Sequence, residues 1–482
     1  MTDLVPTIGL EIHCRLATRT KLFSPCPFSF GAEPNTLVDP YTLGLPGTLP
    51  VPNAAAVRLA VRLAAALGCT IHPESRFARK HYFYPDLPKG YQITQGDEPY
   101  ATGGAIVFED PHAPGTLARA PLSRIHLEED AGKSIHDRGR DRALVDYNRA
   151  GAALVEIVTR PALDDPKRAA ACFRALRAVV RTLGVSDANM QEGGLRCDAN
   201  VSLAPRGAKV LGTRCEIKNV NSFRFLEAAI RAEIRRQRDL LARGEPVVQA
   251  TVGYDENQDR VFVMRTKETA ADYRYLPDPD LPPLSIPDDW IDQARRACSE
   301  LPAERAVRLA AAGVPADLAR KVSEDPVLAR LFEQVVAEGV DEPLAAKWIA
   351  GEVGALLARR AGPPAGGAAF AARLATVLGW VASGRRPAAV VRRVLARMVE
   401  RDEDPAAIVA DEGLEGASGE AIAAVAARLV AEHPDQAAAF RGGNTKILGW
   451  FMGRAMRALR GSDPAAVRAA LERALRGEED TP

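Results

Sequence analysis

Prolines crowd into "PDPDLPPLSIPDDW", residues 277–290, more densely than a helix or a central strand can carry them. Each proline ring removes a backbone donor and fixes φ, so this stretch reads as an extended connector. The sequence has a different texture on its two sides. Before about Pro287, Gly, Pro and Asn turn signals separate short runs of alternating polarity; beyond Trp290, Ala, Arg, Leu and Val recur at helical spacing. The connector is therefore the expected main domain boundary. Two later breaks, "RRAGPPAGGAAF" (359–370) and "DEGLEGASGE" (411–420), set off further helical blocks. No repeat of fixed period is visible, which argues against a solenoid.

At 482 residues, 47% hydrophobic and 26% charged, the chain can bury substantial cores and should divide into roughly two to four domains. Its net charge of +1 provides no general attraction for polyanions, so a nucleic acid would have to be held by a local basic face. The seven cysteines are odd in number, widely spaced and without a CxxC pair, as expected of reduced thiols. No basic segment leads into an apolar run at the start, and no stretch of about 18 apolar residues occurs. The expectation is a cytoplasmic protein with no membrane partner.

Strand alternation is clearest in "LRCDANVSL", where Leu195, Cys197, Ala199, Val201 and Leu203 share one face and Arg196, Asp198, Asn200 and Ser202 the other. "RCEIKNVN" repeats the pattern, with Arg214, Glu216 and Lys218 opposite Cys215 and Ile217. These two segments suggest an antiparallel pair whose polar side meets solvent or a charged ligand. In "IGLEIHC", Glu11 and His13 point the same way; in "IHLEEDAGKS", Glu129 shares a face with Ile125 and Leu127; in "AALVEIVT", Glu156 interrupts an apolar run. A carboxylate in such surroundings needs a partner. A buried Lys or Arg is one solution and a hard divalent cation is another. "AGKS" is not a phosphate loop of the GxxxxGK[ST] type, because Leu127 stands where the first glycine is required, so Gly132 is expected to serve a turn. Two proline- and aromatic-rich stretches, "RKHYFYPDLPKGYQITQ" (79–95) and "MRTKETAADYRYLPDPDLPP" (264–283), read as long irregular loops, functional or packed over an exposed core.

The ordered set "IGLEIHCRL", "LGLPGTLPVPN", "KHYFYPDLPKGYQITQ", "IHLEEDAGKS", "VDYNRAG", "MQEGGLRCDANVSL", "CEIKNVNSFRF" and "DYRYLPDPDLPP", continued by "GGNTKILGWFMGRAMRALRGSDP", resembles the GatB family, whose members belong to the tRNA-dependent amidotransferases. The resemblance implies an ATP- and Mg²⁺-using enzyme that phosphorylates the side-chain carboxylate of Glu or Asp on a misacylated tRNA. Ammonia from a separate glutaminase subunit would then displace the phosphate, and a small third subunit would complete the complex. By motif, the Mg²⁺ ligands become His13, Glu129 and Glu156, with Glu129 favoured over Glu128 and Glu11 close by. Lys80, Lys89, Arg196, Asp198 and Lys218 follow as candidates for ATP or carboxylate contact, or as structural ion pairs. Many relatives carry four cysteines before "LGLPG" that read as a zinc site; here Ser24, Cys26, Asp39 and Thr42 stand at those places, so no zinc is expected.

The expected fold is α+β: a cradle-like catalytic domain over 1–292 with a mainly antiparallel sheet, an all-helical domain over 293–407, and a helical tail over 408–482. In the tail, a helix from an Asn444 N-cap would bury Ile447, Leu448, Phe451, Met452, Ala455, Met456 and Leu459. It would present Lys446, Arg454, Arg457 and Arg460 to RNA or to solvent, with Gly461 ending it and Ser462 and Pro464 opening the next helix. A non-catalytic tRNA-binding scaffold and a ligase acting on a free amino acid are the competing functions.

Overall fold

The computed structural model describes residues 3–137, 142–266, 273–298, 300–360, 364–459 and 461–477. It divides into two compact units, 1–308 with 323–325, and 309–322 with 326–482. As expected, the fold is α+β, with a mainly antiparallel sheet in the first unit and, among the described residues, only helices in the second.

The first unit is built on a ten-stranded sheet. Its principal strands are β1 (Leu4–Arg15), β2 (Leu117–Glu129), β3 (Ala153–Thr159), β4 (Leu195–Pro205), β5 (Cys215–Val220), β6 (Ala250–Asp255) and β7 (Arg260–Thr266), in the spatial order β7-β6-β5-β4-β1-β3-β2. Each pairing among these strands is antiparallel except β5 with β6. Strand alternation makes this sheet two-faced. Leu10, Ile12, Ile125, Leu127, Val155, Ile157, Cys197, Ala199, Val201 and Ile217 are fully buried in one core. That core is completed by helices α1 (Ala54–Ala66), α2 (Pro166–Thr182) and α3 (Phe223–Ala242), through residues such as Ala60, Phe173, Leu176, Leu226 and Ile230, and by Ile291 and Ala294 of the helix Asp288–Arg296. Helix α2 starts where it does because Asp165 accepts hydrogen bonds from Lys167 N and Arg168 N, while Pro166 occupies a position whose N–H has no helical partner.

The opposite face of the sheet carries the charged residues, and two loop segments lie over it. Ala78–His81 and Tyr91–Thr94 pair as a short hairpin, and Leu276–Pro277 adds a third strand. Here the structure corrects the expectation of an irregular loop: Pro85 and Pro88 fall in the hairpin's turn, leaving both flanks free to pair. The second long loop meets the first through His81 N, which donates to Tyr273 O (2.8 Å), and through the edge-to-face rings of Tyr82 and Tyr273. Residues 267–272 of that loop lie outside the described residues.

Ser24, Cys26, Asp39 and Thr42 are gathered around the buried Lys21. Its ammonium donates to Leu37 O (2.8 Å) and lies 3.5 Å from Thr42 Oγ1, and Cys26 and Asp39 both act on its charge. An ammonium thus cross-links this loop from within. Gly132 has an ordinary φ; its role is close approach, since a Cβ there would lie 3.0 Å from Asp146 O and 3.1 Å from Asp86 O.

In the second unit, buried apolar residues form two cores, one running from Leu309 to Leu414 and one from Ile422 to Leu475. The helix Ile447–Ala458 belongs to the latter and buries Leu448, Phe451 and Ala455, with Leu459 just beyond it, as the spacing predicts, while Ile447, Met452 and Met456 are only half-buried at the edge of that core. It begins three residues after Asn444, with Lys446 as its N-cap, because Thr445 and Lys446 form a turn first. Gly461 takes a positive φ of 83° beyond its end. The next helix is capped by Asp463, whose side chain accepts from Ala465 N, and not by Ser462, whose hydroxyl is turned to Ala417 N. Lys446, Arg454 and Arg457 are exposed, with Arg454 over the Trp450 ring (4.3 Å); Arg460 lies outside the described residues.

Candidate active site

Sheet register builds the site. His13 on β1 lies opposite Glu156 on β3, and Glu156 lies opposite His126 on β2. Directly opposed residues in antiparallel strands point to the same face, so these three side chains form a row on the polar side. Glu128, two residues beyond His126, joins them there. His13 Nε2 lies 3.5 Å from Glu128 Oε1 and 3.7 Å from Glu156 Oε2, while His126 Nε2 lies 3.1 Å from Glu156 Oε2 and 3.7 Å from Glu128 Oε2. One donor atom from each of His13, Glu128 and Glu156 falls within 4.8 Å of the others.

Glu129, one residue further along, points the other way. Its Oε1 accepts from Lys89 Nζ (2.5 Å) and from Ile93 N (2.9 Å), in a pocket where both side chains are buried. Lys89 is thereby committed to Glu129 and to Tyr41 Oη (2.9 Å). The structure brings Glu128, not Glu129, to His13 and Glu156, because β2 alternates and Ile125, Leu127 and Glu129 all belong to its core side.

A second acidic group stands beside the first. Glu11, Asp198 and Glu216 also place donor atoms within 4.8 Å of one another, and Lys218 Nζ reaches Asp198 Oδ2 and Glu216 Oε1, each at 2.6 Å. Arg196 faces a neighbouring pocket lined also by Arg15, Lys133 and Arg149, and lies 3.2 Å from Asp130 Oδ1.

Charge and burial act strongly here. Burial opposes the charge on His126, yet the carboxylates of Glu128 and Glu156 raise its imidazole to about 9. Burial would raise the Glu156 carboxyl, but His126 and His13, with the more distant Lys80, hold it well below the usual carboxylate range. The Glu11 carboxyl is pushed up by burial and by the charge of Glu156. Burial disfavours the Lys218 ammonium, and Asp198 and Glu216 more than offset this.

The two clusters open into a cleft of about 480 Å³ between the sheet and the overlying loops. Besides Glu11, His13, Glu128, Glu156, Glu216 and Lys218, it is lined by Lys80, Arg124, Arg214, Arg265, Tyr273 and Tyr275. Lys80 lies over the Tyr273 ring (4.9 Å), and among the described residues Lys80, Arg124 and Arg214 form no ion pair with a carboxylate. Carboxylates and an imidazole suit a hard divalent cation, and unpaired ammonium and guanidinium groups suit oxyanions. Both kinds share this cleft.

Comparison with known proteins now decides the family. Residues 6–292 match the GatB/GatE catalytic domain, and residues 330–475 match the GatB domain. The chain belongs to the GatB family. It is 45% identical to the B subunit of an aspartyl/glutamyl-tRNA(Asn/Gln) amidotransferase from Anaeromyxobacter dehalogenans, over 98% of this chain and 99% of that one. Proteins of the same name from Myxococcus xanthus (43%, 98% and 99%) and Thermus thermophilus (44%, 97% and 98%) are similar over nearly the same span. In this GatB chain, Glu128, His126, Arg124, Arg214, Arg265 and Glu216 were not singled out as site residues from sequence. The alternation of Arg124, His126 and Glu128 was the signal available for three of them.

Proposed function

We propose that this chain is the activating subunit of an ATP-dependent tRNA amidotransferase, acting on Glu-tRNA(Gln), Asp-tRNA(Asn) or both. The observation that carries this is the shared cleft: a His13, Glu128, Glu156 donor set beside Lys80, Arg124 and Arg214, none of which forms an ion pair with a carboxylate among the described residues. A carboxylate resists ammonia because its leaving group would be oxide. Transfer of the γ-phosphoryl group of ATP to one carboxylate oxygen yields an acyl phosphate and ADP. Ammonia then attacks the carbonyl carbon, the C–O bond to phosphate breaks, and the amine sheds its extra proton as the amide forms.

His13, Glu128 and Glu156 would hold Mg²⁺, which when bound neutralises phosphate charge and orients the phosphoryl group. Glu11, with Asp198, Glu216 and Lys218, would keep the adjoining wall polar, and Lys80 would face the bound anions. Lys89 and Glu129 support this wall from behind the sheet. Arg196 would meet whatever part of the substrates enters its neighbouring pocket. Ammonia would come from a partner glutaminase, and a small third protein would complete the complex in the cytoplasm. Among the described residues no helix is long and apolar enough to cross a membrane.

The exposed Lys446, Arg454 and Arg457 of the tail, with Arg460, would grip tRNA through its phosphates. Charge-reversed Arg454→Glu/Arg457→Glu should weaken tRNA binding by about tenfold or more at low salt and flatten its salt dependence, with ammonia-dependent kcat unchanged at saturating tRNA. A filter-binding titration across salt concentrations checks this; an unchanged salt slope assigns these residues to solvent.

The function itself is tested by reconstituting the chain with its glutaminase partner, misacylated tRNA, ammonia and ATP. ATP consumption that requires both Mg²⁺ and misacylated tRNA supports it. A chain that binds tRNA but consumes no ATP would be a scaffold. One that amidates free glutamate or aspartate, and tolerates deletion beyond about residue 408, would be an ordinary ligase.

A further inference from the structure

Arg124 stands two residues before His126 and four before Glu128 on the same face of β2, opposite Val158 of β3. Its Nε is buried and, among the described residues, has no hydrogen-bond partner. Its guanidinium makes no ion pair among the described residues, although the cleft it lines contains Glu11, Glu128, Glu156 and Glu216. This is an unusual arrangement. An arginine within a carboxylate-rich wall ordinarily finds an acid, as Lys218 does with Asp198 and Glu216, and a buried unsatisfied N–H is costly. The guanidinium fork is fully charged, rigid and matched to a planar or tetrahedral oxyanion, so a ligand that enters the cleft is the partner best suited to it.

We propose that Arg124 is a substrate-binding residue that takes an oxyanion of the substrate in this cleft, either the carboxylate to be amidated or a phosphate of the nucleotide. The proposal rests on the function argued above. Of the two sources, position favours the carboxylate. Arg124 shares its strand and face with Glu128, so an acceptor anchored on the guanidinium would present its oxygen beside the His13, Glu128, Glu156 row.

The test uses the reconstituted complex with Arg124→Met and Arg124→Lys, measuring KM for misacylated tRNA and KM for ATP separately, with the melting temperature as a check on folding. Loss of a charged bidentate contact should raise one KM by about ten- to a hundredfold. A rise for misacylated tRNA with KM for ATP unchanged identifies the carboxylate; the reverse identifies the phosphate. Arg124→Lys keeps the charge without the fork, so it should recover only part of the loss, and it also serves if Arg124→Met fails to fold. If both KM values stay within about twofold of wild type in a folded variant, Arg124 binds neither group and the proposal is overturned. If wild type itself consumes no ATP, the function fails first and takes this proposal with it.

Discussion

Glu128→Gln should lower ATP-dependent amide formation by about a thousandfold, equivalent to about 4 kcal/mol of transition-state stabilisation. The exchange keeps the side chain's size and an oxygen that can still accept from the Thr94 hydroxyl, now 3.3 Å from Glu128 Oε2. It removes one of two carboxylates in a three-member donor set, so cation affinity and chemistry suffer while folding is largely spared. Glu129→Gln should behave in the opposite way, keeping kcat per folded molecule within about threefold and losing stability. Single-turnover amide formation under saturating Mg²⁺, normalised to folded protein, checks both variants. An active Glu128→Gln beside an inert, stable Glu129→Gln would reverse the assignment.

The second large effect falls on the buried pair behind the sheet. Lys89→Met leaves the Glu129 carboxylate with Ile93 N and, for charge, only the Lys21 ammonium, which it does not hydrogen-bond, in a site where it is only 2% exposed. Breaking such a pair from one side costs about 3–5 kcal/mol, which should lower the melting temperature of the first unit by roughly 6–20 °C. Removing both charges as Lys89→Met/Glu129→Gln should recover much of that loss, because no uncompensated ion is left inside. Calorimetry on the single and double variants measures the coupling. Additive losses would mean that the two groups are held independently.

These two effects also show where sequence was informative. Alternation placed Glu129 on the same side as Ile125 and Leu127, which is where its carboxylate lies. The family resemblance nonetheless favoured it over Glu128 as a cation ligand. Parity along one strand was enough to separate the two glutamates. What parity could not supply is the register between strands: His13, Glu156 and His126 are more than a hundred residues apart at their extremes, and only the pairing of β1, β3 and β2 sets them side by side.

The same limit applies to the cations. Lys89 and Lys80 lie in one proline-rich stretch with little to tell them apart by composition, yet the hairpin turns Lys80 into the cleft and Lys89 behind the sheet. Fold class, the two-faced strands and the amphipathic tail helix were legible, because each depends on local periodicity. Helix caps depend on more than residue type. Asn444 and Ser462 are good capping residues, but a turn at 445–446 and the contact to Ala417 use them differently.

The central claim is that the acceptor carboxylate is activated as an acyl phosphate. Misacylated tRNA carrying ¹⁸O in both side-chain carboxylate oxygens, given to the reconstituted complex with ATP and ammonia, tests it most directly. We predict one ¹⁸O atom in the inorganic phosphate for each amide formed, because the oxygen that takes the phosphoryl group leaves with it. Amide formation accompanied by unlabelled phosphate would contradict the account, since the phosphoryl group would then have passed to water and never to the substrate.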